Sequence, residues 1–304
     1  MTRTTSVTTD GSAADVSAPP GMPPGRALEL VGRGTTWIYE AGRHGQQCTT
    51  LFLLHGWMAS GSLNWFTSFS DLAKRYHVVA IDHRGHGRGI RTRERFRLQD
   101  CADDVAAAAD ALGIERFIPV GYSMGGPIAQ LVWRRHRDRV TGLVLCATAR
   151  NFRGRPSERA LFGALGTVAL ASRFTPPSWH EAIRDRVLRD RLADLPESRW
   201  ALQEMRRHDP RLLVEAGAAI GRFSSHHWIG GVDVPTAVVV TTADTIVPPH
   251  RQLRLAQSIP GATVHFVAAD HGACALRPQH FVPTLTDAIN SVVARSRLQH
   301  PAAG

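Results

Sequence analysis

Phe117-Ile118-Pro119-Val120-Gly121-Tyr122-Ser123-Met124-Gly125-Gly126 is the stretch whose reading decides the fold. A short apolar run ends in Gly-x-Ser-x-Gly, and the residues from Met124 to about His136 repeat apolar side chains at helical spacing. A serine placed between a strand and a helix sits on a strained turn, where a Cβ at the flanking positions would meet backbone. Gly121 and Gly125 avoid that collision. The turn lifts the Ser123 hydroxyl above the end of the strand and aims it at the start of the next helix. Ser123 is therefore the candidate nucleophile, provided that a base and an acid emerge beside it.

Working outward, apolar runs alternate with helical patterns. Leu28–Val31 and Thr36–Tyr39, separated by Gly32 and Gly34, predict an opening hairpin. Thr50–Leu54 and Tyr76–Ile81 are continuous apolar runs, as expected of parallel strands covered on both faces. Between them the spacing of Trp65, Phe69 and Leu72 predicts a helix from Asn64 to Arg75, and Leu98 to Leu112 predicts another, ended by Gly113. Beyond the central run, Val140–Cys146, Pro235–Thr242 and Thr263–Val267 are further strands, with helices over Pro249–Ser258 and Gln279–Arg295. The expected fold is α/β: a mainly parallel, eight-stranded sheet flanked by helices, with antiparallel strands at one edge. Pro119, in a central strand but without an N–H, predicts a local irregularity.

Residues 150–228 contain no strand-like run and read as helices over Ser157–Phe174, Ser178–Leu195, Glu197–His208 and Pro210–Phe223. An all-helical segment inserted between two strands of a parallel sheet predicts a cap over the carboxyl ends of the strands, where such folds bind ligands. The domain expectation is thus a core of 26–149 and 229–298, a cap of 150–228, a disordered tail of 1–25 and a short tail of 299–304.

With 43% hydrophobic and 20% charged residues, the composition is that of a globular chain with a full core. The formal net charge of +10 is spread along the chain and is almost all arginine, Lys74 being the only lysine. Its densest run, Arg88 to Arg97, holds five arginines and a single aromatic, Phe96, so it reads as a solvated basic loop and not as a nucleic-acid module. Cys48, Cys101, Cys146 and Cys274 have no close pairing, which fits a reducing compartment. With neither a signal-peptide core in the first residues nor a membrane-length apolar window, the expected location is cytoplasmic.

The serine's partners follow from placement. Asp244 lies just past the strand Pro235–Thr242 and His271 just past Thr263–Val267, so both emerge at the same end of the sheet as Ser123. Asp270 adjoins His271 too closely to serve the far side of its ring and is read as shaping the loop. Asp233 precedes its strand and lies at the wrong end. His55-Gly56-Trp57 ends the strand Thr50–Leu54, so the Trp57 N–H and the Met124 N–H are candidate oxyanion donors. Asp82-His83-Arg84-Gly85-His86-Gly87 lacks the helical i, i+4 spacing of a metal site and reads as a tight structural loop. His226-His227 reads as solvent-facing. Neither a metal nor an organic cofactor is implied.

Together, His55-Gly56-Trp57, the Asp82–Gly87 loop, the Gly-Tyr-Ser-Met-Gly-Gly elbow, Asp244 with Val247-Pro248, and His271 resemble the α/β-hydrolase superfamily from about Leu28 to Arg295. Within it the layout is similar to single-domain carboxylesterases, lactonases and carbon–carbon bond hydrolases that carry a helical cap. The resemblance implies a Ser123–His271–Asp244 triad, Trp57 and Met124 as oxyanion donors, and hydrolysis of an ester-like bond through an acyl-enzyme; the apolar residues Leu161, Phe162, Leu165, Val168, Leu170, Phe174 and Trp179 of the inserted helices, where they face inward, add the expectation of a small, apolar substrate. A serine at position 123 argues against haloalkane dehalogenases and epoxide hydrolases, whose nucleophile is an aspartate. After Gly87 the chain reads Arg-Gly-Ile-Arg where the family often has serine, which touches no catalytic position. Two other uses of the same residues stay open: a cofactor-free haloperoxidase-type perhydrolase and a non-catalytic ligand receptor.

Overall fold

The computed structural model describes residues 19–43, 45, 48–154, 156–171 and 198–299. Its centre is an eight-stranded sheet: β1 (Gly25–Leu30), β2 (Gly34–Gly42), β3 (Thr50–Leu54), β4 (His77–Ile81), β5 (Ile118–Tyr122), β6 (Leu143–Cys146), β7 (Thr236–Thr241) and β8 (Thr263–Val267). Across the sheet the order is β1-β2-β4-β3-β5-β6-β7-β8. β1 and β2 form the expected antiparallel hairpin, β2 runs antiparallel to β4, and every pair from β4 to β8 is parallel. The parallel register places Leu54, Tyr122, Cys146, Thr241 and Val267 at one end, which is what gathers the loops that follow them.

The unbroken apolar strands have a direct cause. Each central strand feeds two cores, one on each face. Phe52 and Leu54 of β3 join one core with the helices α3 (Leu98–Ala111) and α4 (Gly125–Arg135). Leu51 and Leu53 join the other, with Trp65, Phe69 and the closing helix α10 (Pro278–Gln299). Alternate side chains point to opposite faces, so burial of both faces requires apolar residues at every position. The edge strand β8 shows the converse, with Phe266 left 59% exposed.

The helix expected from Asn64 to Arg75 is instead two, α1 (Gly61–Trp65) and α2 (Phe69–Ala73). The apolar spacing picks out a correct buried face, since Trp65, Phe69 and Leu72 are all enclosed. The break comes from tertiary contacts that the spacing does not carry: the Thr67 hydroxyl donates to the Cys274 carbonyl, and the Ser68 N–H closes a tight turn on Trp65. A short helix before α10, α9 (Ala273–Leu276), was also not expected from the pattern.

The irregularity expected at Pro119 is present. β5 pairs with β6 from Val120 opposite Val144, whereas Phe117 bridges Val140, so the register slips by one residue across the proline. The N–H groups of Phe117 and Ser123 donate to carbonyls of the neighbouring chain at Arg139 and Cys146. Alternate residues share a side, so Pro119 faces that same neighbour, and its missing donor falls where the ladder is already interrupted.

Between β6 and β7 the chain passes through α5 (Pro156–Ala171), α6 (Ser198–Arg206) and α7 (Pro210–Arg222) before α8 (Pro249–Gln257) follows β7. The Asp209 carboxylate caps α7 by accepting from the Leu212 N–H at 3.0 Å, with Pro210 in the first turn. Phe162 and Leu165 of α5 pack on Gly221 and Gly217 of α7. The outer side of α5 leaves Leu161, Val168 and Leu170 exposed. The expected helix Ser178–Leu195, with Trp179, and the end of the expected helix Ser157–Phe174 lie outside the described residues, as do positions 1–18 and 300–304. Among the described residues no helix is long and apolar enough to cross a membrane.

The elbow is the tightest junction between sheet and helix. A Cβ at Gly125 would stand 2.0 Å from the Leu54 carbonyl oxygen, and one at Gly121 would stand 2.2 Å from the Gly125 carbonyl oxygen. Both obstacles are backbone and cannot rotate away. Gly125→Ala is expected to destabilise the fold by about 3 kcal/mol, read as a lowered midpoint in urea unfolding; an unchanged midpoint would show that the sheet and helix separate freely here.

Candidate active site

Ser123 follows β5 with a left-handed backbone, φ +52. Its N–H donates to the Cys146 carbonyl at 2.9 Å, and its own carbonyl accepts from the Gly126 N–H and from the Thr148 hydroxyl. These contacts fix the turn from both sides and present Oγ to the space above the sheet. There the His271 ring meets it, with Nε2 2.9 Å from Ser123 Oγ. On the other side of the ring, Nδ1 lies 2.7 Å from Asp244 Oδ2. Since the carboxylate can only accept, Nδ1 is the donor and Nε2 is left as the acceptor for the serine O–H. The sheet therefore brings together all three residues singled out from the sequence.

Asp244 is enclosed and its carboxylate fully used. Oδ1 accepts from the N–H groups of Ile246 and Val247 at 2.9 and 2.8 Å. Oδ2 accepts from Thr241 Oγ1 at 2.8 Å and Gln252 Nε2 at 3.3 Å as well as from the histidine. Gln252, fully buried in α8, also bonds the Thr241 hydroxyl and the Val247 carbonyl, so one amide holds both ends of the acid's loop. His271 is held by the Tyr122 hydroxyl, which donates to its carbonyl at 2.8 Å. Of these supports, only Tyr122 lies within a motif read as part of the site; Thr241 and Gln252 fall in an expected strand and helix, and neither they nor Thr148 carry a signal of this role.

The segment after β3 runs against the serine. A Cβ on Gly56 would lie 3.3 Å from Ser123 Cβ, and the Gly56 N–H donates to Asn64 Oδ1, which fixes the turn. Among the described residues, neither the Trp57 N–H nor the Met124 N–H donates to a protein acceptor. The Trp57 indole does, giving its proton to the Leu213 carbonyl of α7 at 2.9 Å.

The sequence profile described as alpha/beta hydrolase fold matches residues 49–278, most of the chain. The chain belongs to the α/β-hydrolase fold family. It is 28% identical over 245 residues to a pimeloyl-[acyl-carrier protein] methyl ester esterase of Chromobacterium violaceum, covering 77% of this chain and 92% of that one. It is 36% identical over 102 residues to epoxide hydrolase B of Mycobacterium tuberculosis, a match confined to 33% of this chain and 28% of that protein. Among solved structures, an enol-lactonase from Burkholderia xenovorans superposes with a TM-score of 0.69 at 23% identity, covering 87% of this chain and 100% of that one.

The remaining residues nominated from the sequence take structural places in this hydrolase fold. Asp270 accepts from the Gly272 N–H and shapes its loop; Asp233, at the opposite end of the sheet, holds Arg137 and the Trp133 indole. His226 and His227 are exposed and contact each other. The Asp82–Gly87 loop is buried: the Asp82 carboxylate accepts from the N–H groups of Gly61 and Arg88, and Arg84 pairs with Asp104 through two bonds. The rings of His83 and His86 stand 4.4 and 5.2 Å from that of His55. His55 Nε2 accepts from the His83 N–H, so its other nitrogen is the donor to the Gly56 carbonyl.

These buried imidazoles make stability depend on pH. Burial, with the neighbouring His86, depresses His83 to about 3, burial depresses His86 to about 4, and burial with the rings of His83 and His86 drives His55 well below its ordinary value. In the unfolded chain histidine takes up a proton near about pH 6.5, so below that point the unfolded state binds more protons than the folded one. Their contribution is complete above about pH 6.5 and is lost as the pH falls toward 4. Asp82 acts in the opposite sense, because burial pushes its carboxyl up to about 7. Three imidazoles outweigh one carboxyl. The unfolding free energy in urea is expected to fall between pH 6.5 and 4.5, and His83→Phe to flatten that slope by up to about 1.4 kcal/mol per pH unit. A slope of the opposite sign would mean that the rings are charged in the folded state.

Proposed function

We propose that this chain hydrolyses an ester-like bond, a carboxylic ester or lactone, of a small and apolar substrate through an acyl-enzyme. The observation that carries the reading is the unbroken line from Ser123 Oγ through the two nitrogens of His271 to Asp244, on a strained turn at the carboxyl ends of the sheet. In the first half-reaction Ser123 Oγ attacks the carbonyl carbon while His271 Nε2 takes its proton. Charge then gathers on the carbonyl oxygen, for which the N–H groups of Trp57 and Met124 are the proposed donors; one such donor is typically worth about 3–4 kcal/mol in the transition state. Collapse expels the alcohol, which receives the proton from His271 and leaves the acyl group on Ser123. Water then attacks that ester with His271 again as base, releasing the acid and restoring the serine. Asp244, buried and supported by Thr241 and Gln252, keeps the ring oriented and favours its cationic form during each step.

The helices between β6 and β7 are the proposed cap. Phe162 and Leu165 lie on their inner packing surface, and Leu212 is buried where α7 meets the body. An apolar lining is the expected consequence, with hexanoyl esters preferred over acetyl esters.

Two variants test the reading on p-nitrophenyl esters of increasing chain length. Ser123→Ala is expected to fold normally and to lose about 10⁴-fold or more in kcat; activity equal to the parent protein would remove Ser123 from the nucleophile's role. Gln252→Leu removes four hydrogen bonds around the acid's loop without touching substrate. It is expected to lower kcat about tenfold with KM nearly unchanged, whereas a change confined to KM would place its effect in binding. Where both proteins are inert toward esters, bromination dependent on halide and peroxide would transfer the same residues to perhydrolysis.

A further inference from the structure

Some arginines of this surface pair with acids, as Arg135 does with Asp103, Arg137 with Asp233 and Arg139 with Asp110. In one region several of them face a common space instead. A cleft of about 800 Å³ opens where the chain leaves β6 and returns from α7, and it is lined by Arg150, Arg153, Arg222, Arg251, Arg254 and His250. The carboxylate nearest to hand, Glu158 of α5, is engaged by Arg251, whose Nη1 lies 2.8 Å from each of its oxygens. Arg251 is itself buried, and its Nη2 ties down Asn151 through the carbonyl and the side-chain oxygen. That arginine braces the wall of the cleft. Arg150 gives a hydrogen bond to the Ser258 hydroxyl, a neutral partner.

Among the described residues, Arg153, Arg222 and Arg254 have no carboxylate within ion-pair distance. Arg222 bears the crowding most: partial burial and the guanidinium groups of Arg95 and Arg153 push its pKa down. Arg95 lines an adjoining cleft that shares Arg222 and Phe223 with the first. Like charges gathered around one cleft repel, and an anion seated among them relieves that repulsion. The planar, two-pronged guanidinium matches phosphate oxygens, and a cavity of this volume suits a small organic molecule and not a flat macromolecular surface. The wall at Ala149 adjoins Thr148, whose hydroxyl holds the Ser123 carbonyl, so the cleft backs onto the elbow.

We propose that this cleft binds the phosphate or pyrophosphate group of a small organic anion, with Arg153, Arg222 and Arg254 as its ligands. The group has two sources: the tail of the substrate itself, or a separate effector seated across the two crossings between sheet and inserted helices. The first source rests on the ester-hydrolase reading above; the binding site does not.

The test is calorimetric titration of the full chain with inorganic pyrophosphate at low salt, beside the triple variant Arg153→Ala, Arg222→Ala, Arg254→Ala. The parent protein is expected to bind and to gain thermal stability, and the variant to bind at least about tenfold more weakly while keeping its anion-free Tm and its activity on neutral esters. Absence of binding to the parent, or equal affinity in the variant, overturns the proposal. So does a single-stranded oligonucleotide that binds far more tightly than pyrophosphate through the same arginines, because the site would then be a nucleic-acid surface. The source is read separately, from esters with and without a terminal phosphate. A preference for the phosphorylated ester that the triple variant loses assigns the cleft to the substrate; equal turnover with pyrophosphate binding intact assigns it to an effector. A chain inert toward every ester still gives the calorimetric answer.

Discussion

The left-handed backbone at Ser123 is the constraint on which the rest of the molecule turns. Such a conformation costs a non-glycine residue about 1–3 kcal/mol. Three hydrogen bonds hold it, from the Ser123 N–H to Cys146 and to the Ser123 carbonyl from Gly126 and Thr148. At about 1 kcal/mol each they are of the same size as the strain. The turn thus persists only because β5, β6 and α4 are packed around it at distances that admit no Cβ at Gly121 or Gly125. Sheet and elbow form one object: weakening the packing releases the turn, and relaxing the turn opens the packing.

The strand pattern was legible because burial on both faces leaves no freedom in residue type, and the alternation with helices made a mainly parallel sheet the expectation; the order of the strands across it was not read. Ser123, Asp244 and His271 were legible for a related reason: each lies just past a strand whose end the fold obliges to face the same way. What could not be read was set by contacts between distant segments. Thr67 reaching Cys274 breaks one expected helix into two, and nothing near Thr67 announces it. Gln252 is an ordinary glutamine on a helix until the loop of Asp244 folds over it. The pairing of Arg251 with Glu158 spans 93 residues, and so the unmatched arginines beside it could not be told from matched ones in a chain where arginine is everywhere. Pro119 is the intermediate case, where a missing donor foretold an interruption but not which neighbour would accommodate it.

The inserted helices and the body also meet through buried polar groups. Glu204 of α6 is enclosed, accepting from the Ser62 hydroxyl and from Arg88, while Glu215 of α7 accepts from the Phe96 N–H. Such groups weaken an interface relative to plain apolar packing, yet they demand one alignment, since each buried carboxylate left without its partner would cost about 1–3 kcal/mol or more. The interface is therefore specified in register more than it is strong.

Trp57 connects these two themes. Its backbone directly follows Gly56, which abuts the serine, and its indole is bound to the carbonyl of Leu213 in α7, with the ring pressed against Gly217 one turn further on. A single residue thus belongs to the sheet's loop by its main chain and to the inserted helices by its side chain. Any tilt of α7 must either break that bond or drag the peptide of Trp57 with it. The molecule carries, in one indole, a mechanical linkage by which the position of α7 is transmitted to the loop that follows β3.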